Sequence, residues 1–149
     1  MTSSRCRPTG WRGFVAVFAL RNRFMVVEVA GPSMHPTLSD GDRVLVRRCS
    51  IGSVRRGDVV VLLGPRMPGY GISPAEFLTG RATNNERTLM IKRVTALPGD
   101  PMPGGSAVVP AGEVIVTGDN STMSFDSRQA GPFAADEIRG VVIRRLTRR

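Results

Sequence analysis

The sequence predicts a mainly β fold, a compact coiled antiparallel sheet or barrel with a short helix at its N-terminus. Three observations carry that expectation. Short runs rich in β-branched residues recur along the chain; Gly, Asp and Pro turn chemistry separates them; and a chain of 149 residues fits one domain, able to bury roughly two thirds of its unfolded surface without disulfides or metals.

The elements follow in order. Phe14 to Leu20 is an apolar run of seven, interrupted by Arg21-Asn22-Arg23. It is shorter than the roughly 20 apolar residues a spanning helix needs, so it reads either as an N-terminal helix packed on the core or as a segment lying in a membrane interface. Met25 to Val29 reads as a strand ended by Gly31-Pro32, which leaves Ser33 just beyond a strand end. Ser39-Asp40-Gly41-Asp42 is a turn, Arg43 to Arg47 a second strand, Arg56-Gly57-Asp58 another turn, and Val59 to Leu63 a buried strand. Gly64 to Arg87 has no sustained period and reads as a long excursion with a short helix near Pro74 to Leu78. Leu89 to Val94, Glu113 to Thr117 and Ile138 to Ile143 are further strands, the last preceded by a turn at Ala134 to Glu137.

The net charge of +9 is clustered, in Arg5/Arg7/Arg12, Arg21/Arg23, Arg47/Arg48, Arg55/Arg56 and the tail from Arg144. An anionic membrane surface suits that balance. Nucleic acid is not expected, because no aromatic residues are interleaved with the arginines and no helix-turn-helix pattern is visible. Cys6 and Cys49 lie far apart with no CxxC or Cys/His cluster beside them, so neither a metal site nor a disulfide framework is expected, and no cofactor is implied.

Ser33 and Lys92 carry the chemistry. A serine hydroxyl attacks a carbonyl only when a base takes its proton. The one histidine, His35, lies two residues from Ser33, too local to bridge easily to its Oγ. Lysine serves instead when burial penalises its charged form. Lys92 lies in an otherwise apolar strand, with Met90 and Val94 on its own face and Ile91 and Arg93 on the other. A third segment, Gly118 to Arg128, offers Ser124, Asp126 and Arg128 in a tight turn that can order such a pair.

Three blocks then resemble the type I signal peptidase family of Ser-Lys proteases. Ser33-Met34-His35-Pro36-Thr37-Leu38 resembles its SMxPTL box; Lys92-Arg93-Val94 with Leu97-Pro98-Gly99-Asp100 resembles its KRxxxxPGD box; Gly118-Asp119-Asn120 with Ser124, Asp126-Ser127-Arg128 and Gly131 resembles its GDNxxxSxDSRxxG box. The ordered match runs from about Val27 to Val142 and is highly specific. It implies the coiled β fold of signal peptidases and LexA-like proteins, with an arm over 1–24 and a catalytic domain over 25–149.

The resemblance also implies roles: Ser33 as nucleophile, Lys92 as neutral general base, Ser124 orienting the lysine amine, and Asp126 with Arg128 as a supporting ion pair. The Ser33 N–H would donate to the oxyanion, while Gly31 stands where some relatives carry a serine donor. A precursor polypeptide would bind as an extended strand near Val29, Ala30, Gly31, Met34, Met90 and Ile91, and be cut after small residues. Signal or leader peptides of exported proteins are the implied substrates. The alternatives are a protease dedicated to one precursor, such as nickel superoxide dismutase or a secreted peptide, or a LexA-like self-cleaving regulator. The implied address is membrane-associated with an extracytoplasmic active site, a cytoplasmic one staying open because the apolar arm is short.

Overall fold

The computed structural model describes residues 23–64 and 88–146. The expected N-terminal helix, the short helix near Pro74 to Leu78 and all but the first residue of the Gly64 to Arg87 excursion lie outside them. Seven strands form one antiparallel sheet: β1 Phe24–Glu28, β2 Arg43–Arg47, β3 Val59–Leu63, β4 Leu89–Ala96, β5 Glu113–Thr117, β6 Phe133–Ala134 and β7 Ile138–Leu146. Their order across the sheet is β1-β2-β7-β3-β4-β5-β6, which leaves β1 and β6 at its two edges among the described residues. Register shifts between Leu45 and Val46, Val61 and Leu62, and Val94 and Ala96 mark bulges, which sharpen local twist and curl the sheet.

The strands fall where the β-branched runs are, β4 and β7 running on past Val94 and Ile143 to Ala96 and Leu146, and three further differences have a physical origin. β1 ends at Glu28, because the Val29 N–H donates to the Asp42 carbonyl and the Val29 carbonyl accepts from Gly41, committing that residue to the turn. The Asp126 to Gly131 segment folds into a one-turn helix, α1 (Ser127–Ala130), which hydrophobic period could not reveal. Its signal is a capping box: the Asp126 carboxylate caps the first turn while Gln129 reaches back to the Asp126 N–H. β6 has two residues, too few to show alternation.

Both faces of the central strands are buried, which explains why β3 reads as an unbroken apolar run. Val60, Leu62, Met90 and Val94 enter one cluster with Val114, Val116, Phe133 and Val141. Val61 and Ile91 enter a second cluster on the opposite face with Val29, Met34, Leu38, Val44 and Val46. Val60, Val61 and Leu62 are fully buried, each contributing roughly 1.5–3 kcal/mol relative to exposure. The second cluster places the site: Met34 and Leu38 bury 1% and 4% exposed against β2, β3 and β4 and pin the loop that begins with Ser33.

Candidate active site

Three segments meet around Gly118. The Asn120 N–H donates to the Ser33 carbonyl at 3.0 Å, so the turn after β5 holds the serine loop directly. Gly118 has no room for a side chain, since a Cβ there would overlap Ser124 Oγ and come 2.5 Å from the Ser33 carbonyl oxygen. Gly118→Ala is therefore expected to push the two serines apart. Overpacking of this kind costs about 1–3 kcal/mol, and peptide cleavage should fall roughly a hundredfold from misplacement of the reacting groups. Thermal melting and steady-state kinetics of the purified variant check both; a fully active variant would mean the contact does not matter.

Asp126 is the hub beneath this junction and has no exposed surface. Its Oδ2 accepts from the Gly118 N–H at 2.8 Å, from Ser124 Oγ at 2.7 Å and from Arg128 Nη2 at 2.6 Å. Its Oδ1 accepts from the Arg128 N–H and Nε. Burial pushes the carboxyl pKa up, but these donors outweigh it and hold it well below the usual carboxylate range. The carboxylate thus stays ionised, and the stability it contributes, present above the ordinary carboxyl pKa, is lost only as pH falls through the depressed value. Ser124 donates its hydroxyl proton to Asp126, which leaves its oxygen able to act only as an acceptor toward any further partner.

Lys92 occupies the centre of β4, opposite Val60 in the ladder, and is 3% exposed. Burial lowers its pKa from the ordinary 10.5; the Asp126 carboxylate opposes that shift and the Arg128 guanidinium adds to it. A lysine lowered in this way is a stronger candidate base near neutral pH than a solvated one. Ser33 is half-buried at the loop start, whereas His35 is exposed.

The residues expected at a peptide-binding edge separate. Val29, Met34 and Ile91 are buried in one core cluster, Met90 in the other, and Ala30 alone among them is exposed. Gly31 has φ +81° and donates its N–H to Asp40 Oδ1 at 2.8 Å, a backbone conformation that favours glycine over the serine of some relatives. A cavity of about 670 Å³ lies elsewhere, lined in part by Cys49, Ile51, Gly112, Ala135 and Ile138, and includes none of these side chains.

Arg93, to which the sequence alone assigns no role, joins all three blocks. Its side chain leaves β4 on the face opposite Lys92 and binds Asp119 through Nε at 2.7 Å and Nη2 at 2.6 Å. Nη1 donates to the Gly57 carbonyl at 2.8 Å, and Nη2 approaches Thr37 Oγ1 at 3.4 Å. A bidentate guanidinium fixes orientation as well as distance, so the serine loop, the lysine strand and the Asp119 turn are tied on the side away from Lys92. The signal was present: Thr37, Arg93 and Asp119 all lie inside the matched blocks.

Comparison with known proteins places the chain in a family. The family model described as signal peptidase, peptidase S26, matches residues 11–103 and 101–146. Signal peptidase I V of Bacillus subtilis (strain 168) is 30% identical over 142 residues, spanning 80% of this chain and 83% of that protein. The mitochondrial ATP-independent inner membrane protease subunit 1a of Arabidopsis thaliana is 31% identical over 148 residues, 89% of this chain and 77% of that protein. The mitochondrial inner membrane protease subunit 2 of Mus musculus is 33% identical over 147 residues, 87% and 74% respectively. With this coverage, the chain belongs to the signal peptidase family, peptidase S26, and is a serine endopeptidase.

Proposed function

We propose that residues 25–149 form a Ser-Lys catalytic domain that cleaves signal or leader peptides from precursor proteins after small residues. The observation that carries this reading is the burial of Lys92 beside the Asp126 hub, whose neighbours Gly118 and Ser124 abut the Ser33 loop. Neutral Lys92 takes the Ser33 proton as Oγ attacks the scissile carbonyl, and returns it to the leaving amine when the bond breaks. Ser124, held by Asp126, presents a lone pair that orients the amine. The Ser33 N–H donates to the oxyanion, such donors being worth about 3 kcal/mol in the transition state.

The precursor adds as an extended strand at the open edge of β1. Val29 spends its N–H and carbonyl on the β2 side, and alternation along an antiparallel strand turns those of Glu28 and Ala30 outward. Small residues before the scissile bond suit a site whose expected lining, Val29, Met34 and Ile91, is already packed in the core. An anionic membrane surface is the proposed second partner, with the 1–24 arm as one contact. Among the described residues no helix is long and apolar enough to cross a membrane.

The pH dependence follows from Lys92. Activity needs its neutral form, so kcat/KM should rise with pH and level off, with a midpoint below 10.5, the ordinary lysine value. Because the folded-state pKa is the lower one, the unfolded chain binds more protons between the two values, and stability should also rise with pH across that window. A rate profile still climbing above pH 10.5 would contradict the assignment. Substrate class is tested by incubating the purified chain with peptides carrying Ala or Leu at the residue before the cut. Cleavage after Ala and not after Leu is expected; equal cleavage of both would overturn the small-residue reading.

A further inference from the structure

Ser33 is carried by a loop over 29–42 whose neck is closed by backbone. The Val29 N–H donates to the Asp42 carbonyl and the Gly41 N–H to the Val29 carbonyl, both at 2.8 Å. At that neck the Asp42 carboxylate is buried, and its Oδ2 accepts from the Ser39 N–H at 2.8 Å and from Arg145 Nη1 at 3.2 Å. Met34 and Leu38 anchor the middle of the loop by burial, and the Asn120 N–H holds the Ser33 carbonyl. Gly31 has no such packing: a Cβ built there meets nothing within 4 Å. A glycine left to itself has more backbone freedom to lose than any other residue. It is held instead from the far end of the loop, where Asp40 Oδ1, nine positions on, accepts its N–H at 2.8 Å.

We propose that Asp40 is a positioning residue for the reaction: by fixing the Gly31 peptide, its carboxylate aims the Ser33 N–H at the developing oxyanion. This role deepens the Ser-Lys reading, on which it rests. Pro32 transmits the constraint, because its ring locks φ and leaves little freedom between an oriented Gly31 and the Ser33 amide. Among the described residues nothing accepts from the Ser33 N–H, as befits a donor kept for an anion. Gly31 has no hydroxyl to offer, and its own N–H is engaged by Asp40. Neither its side chain nor its amide can assist, so stabilisation by this loop depends on how well the Ser33 amide is aimed. A donor already aimed before charge develops needs no reorganisation during the reaction. Asp40 itself is exposed, so its bond to Gly31 adds little to the stability of the fold.

The test compares Asp40→Ala with Asp40→Asn, which keeps an acceptor oxygen at the same reach, in the full-length chain cutting a peptide with Ala before the cut. Asp40→Ala is expected to lower kcat roughly ten- to hundredfold with KM little changed, because a misaimed donor matters in the transition state. Asp40→Asn should recover most of that loss. A peptide aldehyde, whose adduct with Ser33 places an oxygen where the oxyanion forms, should bind Asp40→Ala more weakly by about the same factor, while the peptide acid left by cleavage binds unchanged. Both variants should melt within about 2 °C of the parent. Parent-like kcat in Asp40→Ala, a loss that Asp40→Asn does not recover, or equal weakening of aldehyde and acid would overturn the proposal and leave the proteolytic reading standing. A loss of activity that follows a lowered melting temperature would also overturn it, by making Asp40 merely structural. A parent chain that neither cleaves the peptide nor forms the aldehyde adduct would overturn both, since no oxyanion would then form for Ser33 to meet.

Discussion

Ser33→Ala is expected to abolish peptide cleavage while the protein still melts cooperatively near the temperature of the parent chain. The serine is half-buried in a loop held by Met34 and Leu38 and by the Asn120 N–H, and none of these uses its hydroxyl. Loss of a nucleophile typically lowers kcat by roughly 10³–10⁶-fold. Lys92→Met should match it, since methionine fills a buried apolar strand position without a base. The two groups act as a unit, so the double variant should be no slower than either single one. Cleavage rates from purified variants check this, and an undiminished rate in either would remove that residue from the mechanism.

Asp126→Ala is expected to have the largest effect on stability. Truncation strands the Gly118 N–H and the Ser124 hydroxyl in a region with no water-exposed surface at Asp126, and removes the cap of α1. Unsatisfied buried donors cost about 1–3 kcal/mol each and a lost N-cap about 1 kcal/mol. The Arg128 contribution is discounted, because its side chain is 38% exposed and solvent screens it. The sum is about 3–7 kcal/mol, or a melting temperature lower by roughly 10–20 °C for a chain of this size. Differential scanning calorimetry measures it. Activity should fall as well, because Ser124 loses the acceptor that fixes its hydroxyl. A variant melting within a degree or two of the parent would show that Asp126 is not the hub its hydrogen bonds describe.

Much of this architecture is written locally. The β-branched runs at Val59 to Leu63 and Glu113 to Thr117 are strands from end to end, because four or five successive apolar or β-branched residues bounded by turns have few other uses in a small domain. The α1 turn and β6 were not legible from period: four helical residues make one turn and two strand residues make no alternation. At the site, motif blocks located Ser33, Lys92, Ser124, Asp126 and Arg128, but the blocks do not say which groups touch. The Asp126 hub depends on α1 bringing Arg128 back over its own cap, and the Arg93 clamp depends on β4 lying beside the turns that carry Gly57 and Asp119. Both are products of tertiary pairing. The expected lining of the peptide edge was the least readable part, since strand alternation sends Met90 and Ile91 to opposite cores.

The central claim is that Ser33 is activated by Lys92, and trapping an acyl-enzyme tests it most directly. The chain would be mixed with an activated ester of a short peptide ending in Ala, quenched in acid, and its mass and adduct site determined. One acyl group on Ser33 is predicted, absent in Ser33→Ala, and formed in Lys92→Met at least a thousandfold more slowly, as loss of the base requires. An adduct on another residue, or acylation of Ser33 at the parent rate in Lys92→Met, would contradict the account.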